Sequence, residues 1–226
     1  LDILLFQVIF AKDLSVQLRT FGWSLSGGMD LDKNDYPDLL VGAYNSGHAV
    51  SLRGAPVVHM TMEISFDVAS KQINLEDAAC MLSDRKHWVP CVPVTVTLRY
   101  TGVGVPDQLS FVLDYLLDSQ KTDNQKRMFF LDEEGKSARK HRIEMLKERE
   151  AKEKFKVYMP GPNIKDKLTK LEIQVRYSLD TSATTGRGLK PVLAHGEHMI
   201  QDSISIQKEC GDDSVCIPDL SIKTNQ

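Results

Sequence analysis

Oxygen-bearing side chains alternate along residues 30–38 in a pattern suited to binding a metal ion. Asp30, Asp32 and Asn34 occupy the first, third and fifth positions of this run, and Asp38 occupies the ninth. Tyr36, at the seventh position, can contribute its backbone carbonyl oxygen. Calcium binds about six to eight oxygen ligands of these kinds, and crowded carboxylates repel one another unless a cation lies between them. The spacing therefore predicts a calcium site at these five residues.

An EF-hand and a metal-free turn are the two alternatives for this segment. An EF-hand loop shares the acidic beginning but needs glycine at its sixth position, glutamate at its twelfth and a helix on each side. Here those positions hold Asp35 and Val41. Residues 21–26 alternate in polarity and residues 39–43 form a short apolar run, both typical of strands. The sequence predicts a calcium loop between two strands of one hairpin, with a polar turn rich in Asp and Asn as the remaining alternative.

The same segment resembles the FG-GAP repeat found in the β-propellers of integrin α subunits. Phe21-Gly22 opens the repeat and the acidic loop follows. Tyr44 stands where the family usually has a final proline, directly after the closing residues Pro37-Asp38-Leu39-Leu40-Val41-Gly42-Ala43.

Residues 1–55 are therefore expected to form an incomplete propeller blade, the last of its propeller. Strand-like segments at residues 4–10 and 49–53 lie on either side of the hairpin. A blade has about four strands and cannot bury both of its faces without neighbouring blades. We expect those other blades to lie outside this chain. Residues 1–6 show no match to the family.

The bulk properties of the chain argue against several classes of protein. Its 226 residues and 42% hydrophobic content suit one large or two modest globular domains. The net charge of -3 gives no sign of nucleic-acid binding, which favours a basic surface. No apolar run approaches the roughly 18 residues of a membrane span, so we expect any membrane anchor to lie outside this chain. Without a Gly-x-Ser-x-Gly or P-loop motif, we expect no enzyme activity.

Four cysteines occur as two close pairs, Cys80 with Cys91 and Cys210 with Cys216. Three connectivities are possible, and proximity favours the two local ones. No Cys-x-x-Cys motif or adjacent His cluster indicates zinc. Short disulfide loops are typical of small extracellular β-domains, and four free thiols in a cytosolic protein are the alternative.

Residues 56–209 have the alternation of β-strands, after a hinge at Gly54-Ala55-Pro56. Six or seven strands separated by Gly and Pro turns predict an immunoglobulin-like sandwich. The fold class is therefore expected to be all-β, a partial β-propeller blade followed by a β-sandwich. The strand candidates are residues 58–64, 93–100, 109–117, 127–131, 170–179 and 200–207.

This second region is similar to the thigh domain of integrin α subunits. The family often has a second thigh disulfide, whose positions fall near Thr97 and Lys152, and this chain has no cysteine at either. Both partners are absent together, so no orphan thiol is left. The resemblance is carried by Arg53-x-x-Pro56-Val57-Val58, the loop between Cys80 and Cys91, Val105-Pro106-x-x-Leu109, Leu117-Asp118-x-x-Lys121, Lys165-Asp166-Lys167-Leu168-Thr169 and Val192-Leu193-x-His195.

Residues 132–156 are richer in charge than the corresponding loop of that family. Glu148 and Glu150 each precede a lysine, Lys152 and Lys154, by four positions, a spacing that supports a solvated helix. The apolar residues of the run form only an irregular stripe. We therefore predict an exposed helical insertion, with a partner-binding helix as the alternative.

Residues 210–226 resemble the integrin knee, where the thigh domain meets the first calf domain. The resemblance implies a disulfide between Cys210 and Cys216. It also implies a second cation held by the carbonyl oxygens of Cys210 and Val215 and by Asp213. A solvated loop closed by the disulfide is the alternative. The likeness lies in Cys210-Gly211-Asp212-Asp213-Ser214-Val215-Cys216-Ile217-Pro218-Asp219-Leu220.

Together these resemblances imply an ectodomain fragment of an integrin α subunit, on the extracellular side of the cell membrane. Such a receptor pairs with an integrin β subunit, binds extracellular-matrix or cell-surface proteins and signals, and its propeller calcium is structural. One alternative is a secreted enzyme with FG-GAP repeats, such as a phospholipase that cleaves lipid anchors. Another is a non-integrin calcium-binding adhesion module. A thigh-like domain favours the receptor, whereas a catalytic His/Asp cluster would favour the enzyme.

Overall fold

The computed structural model describes residues 7–15, 17–68, 70–161, 164–180 and 189–208. Within these ranges the regular structure is nearly all strand, which confirms the predicted all-β class. The exceptions are the short helix α1 (Ala11–Leu14) and the 3-10 turns Tyr44–Ser46 and Asp123–Gln125. The predictions for residues 1–6 and for Cys210, Asp213, Val215 and Cys216 lie outside the described residues.

A three-stranded antiparallel sheet comes first and carries the acidic loop. Its strands are β1 (Phe21–Met29), β2 (Asp38–Ala43) and β3 (His48–Leu52), in the order β1-β2-β3. Met29 pairs with Asp38, which brings the two ends of residues 30–37 together. The predicted hairpin and following strand are thus confirmed. The strand predicted at residues 4–10 is wrong over its described part, because residues 7–10 are irregular and α1 follows them.

Apolar side chains are exposed on both faces of this blade sheet. Trp23, Leu25 and Met29 of β1 are 75%, 66% and 68% exposed. Leu39 and Leu40 of β2 are exposed as well, and adjacent residues of a strand point to opposite faces. A blade without its neighbours is expected to have such faces, because repeat units bury them against each other.

The second part of the described chain is a sandwich of two five-stranded sheets. In chain order the strands are β4 (Val57–Phe66), β5 (Gln72–Ile73), β6 (Cys80–Met81), β7 (Trp88–Val89), β8 (Cys91–Thr101), β9 (Gln108–Leu117), β10 (Phe129–Phe130), β11 (Ala138–Leu146), β12 (Ala151–Tyr158), β13 (Leu171–Leu179), β14 (Val192–Leu193) and β15 (Met199–Ile206). One sheet has the order β10-β12-β8-β4-β14 and the other β11-β9-β13-β15-β5, while β6 and β7 form a separate hairpin.

Strict alternation in β8 and β9 builds the core between the two sheets. Every second residue of each strand is buried, from Val92 to Tyr100 in β8 and from Leu109 to Leu117 in β9. These strands lie in opposite sheets, so their apolar faces meet in one cluster. The strands predicted at residues 93–100, 109–117, 170–179 and 200–207 are confirmed with small shifts at their ends.

A disulfide joins Cys80 to Cys91, whose Cα atoms are 5.8 Å apart. It ties the hairpin of β6 and β7 to the first residue of β8. Val89 and Tyr158 pack with Cys80 in a small satellite cluster beside the main core. This is one of the two local pairs that the cysteine spacing favours.

The helix predicted within residues 132–156 is wrong, and so is the interpretation of this run as an exposed insertion. β11 pairs with β9 in one sheet, and β12 pairs with β8 in the other. In β12, Phe155 and Val157 are buried while Lys154 and Lys156 are exposed. The period of two therefore governs this segment, and the lysines line its solvent face.

The strand predicted at residues 127–131 is wrong except for Phe129–Phe130. Arg127 instead turns inward and donates hydrogen bonds to Asp118 through Nη2 at 2.6 Å and Nε at 2.8 Å. The two side chains are 6% and 0% exposed. This hydrogen bonding raises the pKa of Arg127 and keeps it charged. Its Nη1 also donates to the carbonyl oxygens of Asp166 and Thr169, so the buried charge is compensated.

Candidate metal centre

The loop between β1 and β2 brings three carboxylates together. Oxygens from Asp30, Asp32 and Asp38 all lie within 4.8 Å of one another. Asp38, the first residue of β2, is 4% exposed, Asp30 is partly buried and Asp32 is exposed. Charges of one sign at this separation repel, and burial of Asp38 strengthens the repulsion. The arrangement therefore favours a bound cation.

Asp30 organises the backbone of the loop. Its Oδ1 accepts hydrogen bonds from the amides of Lys33 at 2.7 Å and Asn34 at 3.2 Å, and its Oδ2 accepts one from Asp35 at 2.9 Å. Lys33 and Asp35 have φ angles of 61° and 68°, which fold the chain tightly around the carboxylate. Desolvation raises the pKa of Asp30, but the amide donors lower it and the net shift is downward. Asp30 is therefore ionised at neutral pH and available to a metal.

Asp38 links the loop to the chain that leaves the blade. Its Oδ2 accepts a hydrogen bond from the amide of Leu31 at 2.8 Å, and its Oδ1 accepts one from the amide of Gly54 at 2.9 Å. A carboxylate oxygen has two lone pairs, so both oxygens keep capacity for a metal ion. Asp38 can thus be a ligand and a support of the loop at once.

Asn34 and Tyr36, the other two predicted ligands, have further partners. Asn34 Oδ1 accepts a hydrogen bond from the amide of Tyr36 at 2.8 Å, and its Nδ2 donates to the carbonyl oxygen of Gly54 at 2.7 Å. The hydroxyl of Tyr36 contacts Val57 and Val103 outside the blade. The sequence predicts a role only for the backbone carbonyl of Tyr36. No local pattern indicates the hydroxyl contacts, because Val103 lies 67 positions away.

The donor set fits a hard cation. The acidic cluster consists of carboxylates without His or Cys among its described members, which favours calcium or magnesium over transition metals. Arg53 Nη1 lies 3.8 Å from Asp32 Oδ2, but the arginine side chain is 62% exposed, and such surface pairs contribute little. One weak contact leaves most of the negative charge uncompensated, so Asp30, Asp32 and Asp38 would hold the ion.

Comparison with known families agrees with this architecture. Residues 21–55 match the family model described as an FG-GAP repeat. Residues 54–209 match the family model described as integrin alpha Ig-like domain 1. The class of protein is therefore one in which an FG-GAP repeat is joined directly to an immunoglobulin-like domain.

Relatives along most of the chain give the family. Integrin alpha-PS2 of Drosophila melanogaster is 40% identical over 219 residues, which cover 92% of this chain and 15% of the relative. Human integrin alpha-8 is 33% identical over 210 residues, 89% of this chain and 19% of the relative. Integrin alpha-5 of Xenopus laevis is 29% identical over 215 residues, 93% of this chain and 20% of the relative. The chain belongs to the integrin α-subunit family, and it spans about 15% to 20% of the length of these relatives.

None of the helices in the described ranges is long and apolar enough to cross a bilayer.

Proposed function

We propose that this chain is the part of an integrin α ectodomain that runs from the last propeller blade to the knee. Residues 1–55 belong to the incomplete blade, residues 56–209 to the thigh domain, and residues 210–226 to the knee and the start of the first calf domain. The order of the two family matches and the exposed apolar faces of the blade sheet support this division.

The receptor acts as a heterodimer in cell adhesion. It pairs with an integrin β subunit, binds extracellular-matrix or cell-surface proteins and is anchored on the extracellular side of the cell membrane through a segment outside this chain. The support comes from the relatives, which are integrin α subunits. These relatives also favour a receptor over a secreted FG-GAP enzyme, and we propose that the chain catalyses no reaction.

Calcium is bound by the side chains of Asp30, Asp32, Asn34 and Asp38 and by the carbonyl oxygen of Tyr36. The single observation that carries this proposal is the convergence of three carboxylates within 4.8 Å on a hairpin of the blade. When bound, the ion supplies the positive charge that the carboxylates lack. The protein's part is to hold the hairpin in shape, since Asp30 and Asp38 bind the loop amides. The role of the site is structural.

Co-purification tests the proposed pairing. We expect the complete α ectodomain that contains this chain, co-expressed with tagged integrin β ectodomains of the same organism, to be recovered in equimolar amount with at least one of them. A tagged single-chain receptor ectodomain of another family serves as the control and should recover none. Secretion of the α ectodomain as a monomer in the presence of every β ectodomain of that organism would contradict the proposal.

A further inference from the structure

The side chain of Tyr36 leaves the acidic loop and contacts the sandwich. Its hydroxyl accepts a hydrogen bond from the amide of Val57 at 3.0 Å and donates one to the carbonyl oxygen of Val103 at 3.0 Å. Val57 is the first residue of β4, and Val103 lies in the turn between β8 and β9. One hydroxyl group therefore joins the loop to two separate segments of the following domain.

The backbones of the loop and of the sandwich also approach closely. Gly104 has a φ of +62°, and a Cβ atom added there would lie 2.7 Å from the carbonyl oxygen of Asn34. A Cβ atom added to Gly54 would lie 2.9 Å from the carbonyl oxygen of Pro37. Real Cβ atoms do not make such contacts without displacement of a neighbour. The absence of side chains at these two glycines is therefore needed for the loop to reach the sandwich turn and the connecting chain.

The connecting chain is bound by candidate metal ligands themselves. Gly54 donates its amide to Asp38 Oδ1 at 2.9 Å and accepts a hydrogen bond on its carbonyl oxygen from Asn34 Nδ2 at 2.7 Å. Both backbone polar groups of Gly54 are thus held by residues of the loop. A change in the position of Asp38 or Asn34 must be transmitted to the path of the chain between the two domains.

We propose that the acidic loop is a cation-dependent clamp on the joint between the blade and the sandwich, with Tyr36 as the positioning residue. This inference rests on the calcium site proposed above. Without the ion, repulsion among Asp30, Asp32 and Asp38 loosens the loop. With the ion, the ordered loop holds Val57, Val103 and Gly54 and restricts the angle between the domains. Because such coupling is reciprocal, a docked sandwich also raises the affinity of the loop for the ion.

Hydrogen exchange measures this coupling at each segment separately. The protein is the complete ectodomain that contains this chain, in calcium or in EGTA, and the probes are peptides covering residues 31–37, 54–58 and 101–105. In the unmutated protein we expect calcium to slow exchange in all three peptides by about fivefold or more, as two or three hydrogen bonds of ordinary strength predict. Asp32→Ala, which removes a proposed ligand of this site and of no other, should remove all three responses.

Tyr36→Phe separates the clamp from the metal site, because it deletes the hydroxyl and keeps the backbone carbonyl. We expect residues 31–37 to remain protected by calcium, while the response of residues 101–105 falls to about twofold or less. The response of residues 54–58 should fall only in part, because Asp38 and Asn34 still bind Gly54. Tyr44→Phe is the matched control, since Tyr44 is 73% exposed and lies at the other end of β2. It should leave all three responses unchanged.

A second pair of variants approaches the clamp from the sandwich. Gly104→Ala places a methyl group against Asn34 and should weaken the response of residues 54–58 and 101–105. Gly135→Ala has a similar positive φ of +77° but no atom within 4 Å of the added Cβ, so it controls for backbone strain alone. Full calcium protection of residues 54–58 and 101–105 in both Tyr36→Phe and Gly104→Ala would overturn the clamp. No response of residues 31–37 in the unmutated protein would instead overturn the calcium site, and the clamp with it.

Discussion

At the scale of single residues, the carboxylates of the acidic loop differ in what else they hold. Asp38 is 4% exposed and accepts hydrogen bonds from the amides of Leu31 and Gly54. Asp32 is exposed, and its ion pair with Arg53 is long at 3.8 Å. Replacement of Asp38 leaves two amide donors without their acceptor, whereas replacement of Asp32 removes only a metal ligand and a weak surface contact. The two residues therefore contribute differently to stability in the absence of calcium.

Unfolding of the ectodomain in calcium and in EGTA separates these contributions. We expect calcium to raise the melting temperature of the unmutated protein. Both Asp32→Ala and Asp38→Ala should lose the part of this rise in melting temperature that comes from calcium bound at the acidic loop. In EGTA, Asp38→Ala should be less stable by about 1–3 kcal/mol because of the unpaired amides. Asp32→Ala should stay within about 0.5 kcal/mol of the unmutated protein.

Asp35→Asn is the control for this comparison, because Asp35 is exposed and its carboxylate is outside the cluster of three. Calcium should raise the melting temperature of Asp35→Asn as much as it raises that of the unmutated protein. An unmutated protein that melts at the same temperature in calcium and in EGTA would count against the site. Equal losses of stability for Asp32→Ala and Asp38→Ala in EGTA would count against the proposal that Asp38 stabilises the loop by accepting hydrogen bonds from two amides.

At the scale of elements, the sequence predicts best where one face of a strand is buried. In β8 and β9 every second residue is buried, and this period of two is visible in the sequence without any tertiary information. The candidate carboxylates were predictable for a similar reason, since their spacing is contained in nine consecutive residues. The contacts of Tyr36 with Val57 and Val103 were not, because they join segments 21 and 67 positions apart.

β12 shows how a local pattern can favour the wrong element. Lysines at positions 152, 154 and 156 repeat every second residue, and they fit a strand as well as the four-residue spacing fits a helix. Tertiary pairing decides between the two, since β12 fills the place beside β8 through eight successive residue pairs. The burial of Phe155 and Val157 against the core stabilises the strand. The charge pairs of an isolated helix stabilise it by less than this burial stabilises the strand.

Arg139 in β11 is the residue that most clearly makes the charged run part of the sandwich. Its guanidinium carbon lies 4.3 Å from the ring centroid of Phe130, 5.1 Å from that of Phe155 and 5.5 Å from that of Tyr115. The side chain is only 16% exposed, and its Nη1 donates to Asp132 at 2.8 Å. A guanidinium group that contacts three rings and is largely shielded from water contributes more to the free energy of unfolding than an exposed one does.

Replacement of Arg139 tests this packing. We expect Arg139→Ala to lower the free energy of unfolding by about 2 kcal/mol, through loss of the cation–π contacts and of the covered ring surface. Arg139→Lys should be more stable than Arg139→Ala but less stable than the unmutated protein, because an ammonium group lacks the planar stacking surface. Urea unfolding followed at the sandwich provides the measurement.

Arg142→Ala is the matched control on the same strand. Arg142 is 49% exposed and pairs with Asp180, whose side chain is 11% exposed, but it covers no aromatic rings of the described residues, so its replacement should cost about 1 kcal/mol. If Arg139→Ala lowered the free energy of unfolding no more than Arg142→Ala does, residues 132–156 would behave as a solvated surface segment, which would contradict the packing described.

At the scale of the whole molecule, the chain combines a unit that is incomplete by itself with one that has its own core. The blade sheet exposes Trp23, Leu25 and Met29 and, like other repeat units, needs neighbours to cover them. The sandwich buries its apolar residues between its two sheets. The acidic loop lies where these two units meet, in contact with Val57 and Val103. One short loop therefore contacts both units.

The location of bound calcium is the most direct test of the whole account. Crystals of the complete ectodomain grown in calcium, measured for anomalous scattering, should give a peak among the carboxylates of Asp30, Asp32 and Asp38, and Asp32→Ala should remove it while any other calcium peaks remain. Well-ordered carboxylates at these positions with no anomalous peak between them would contradict the account.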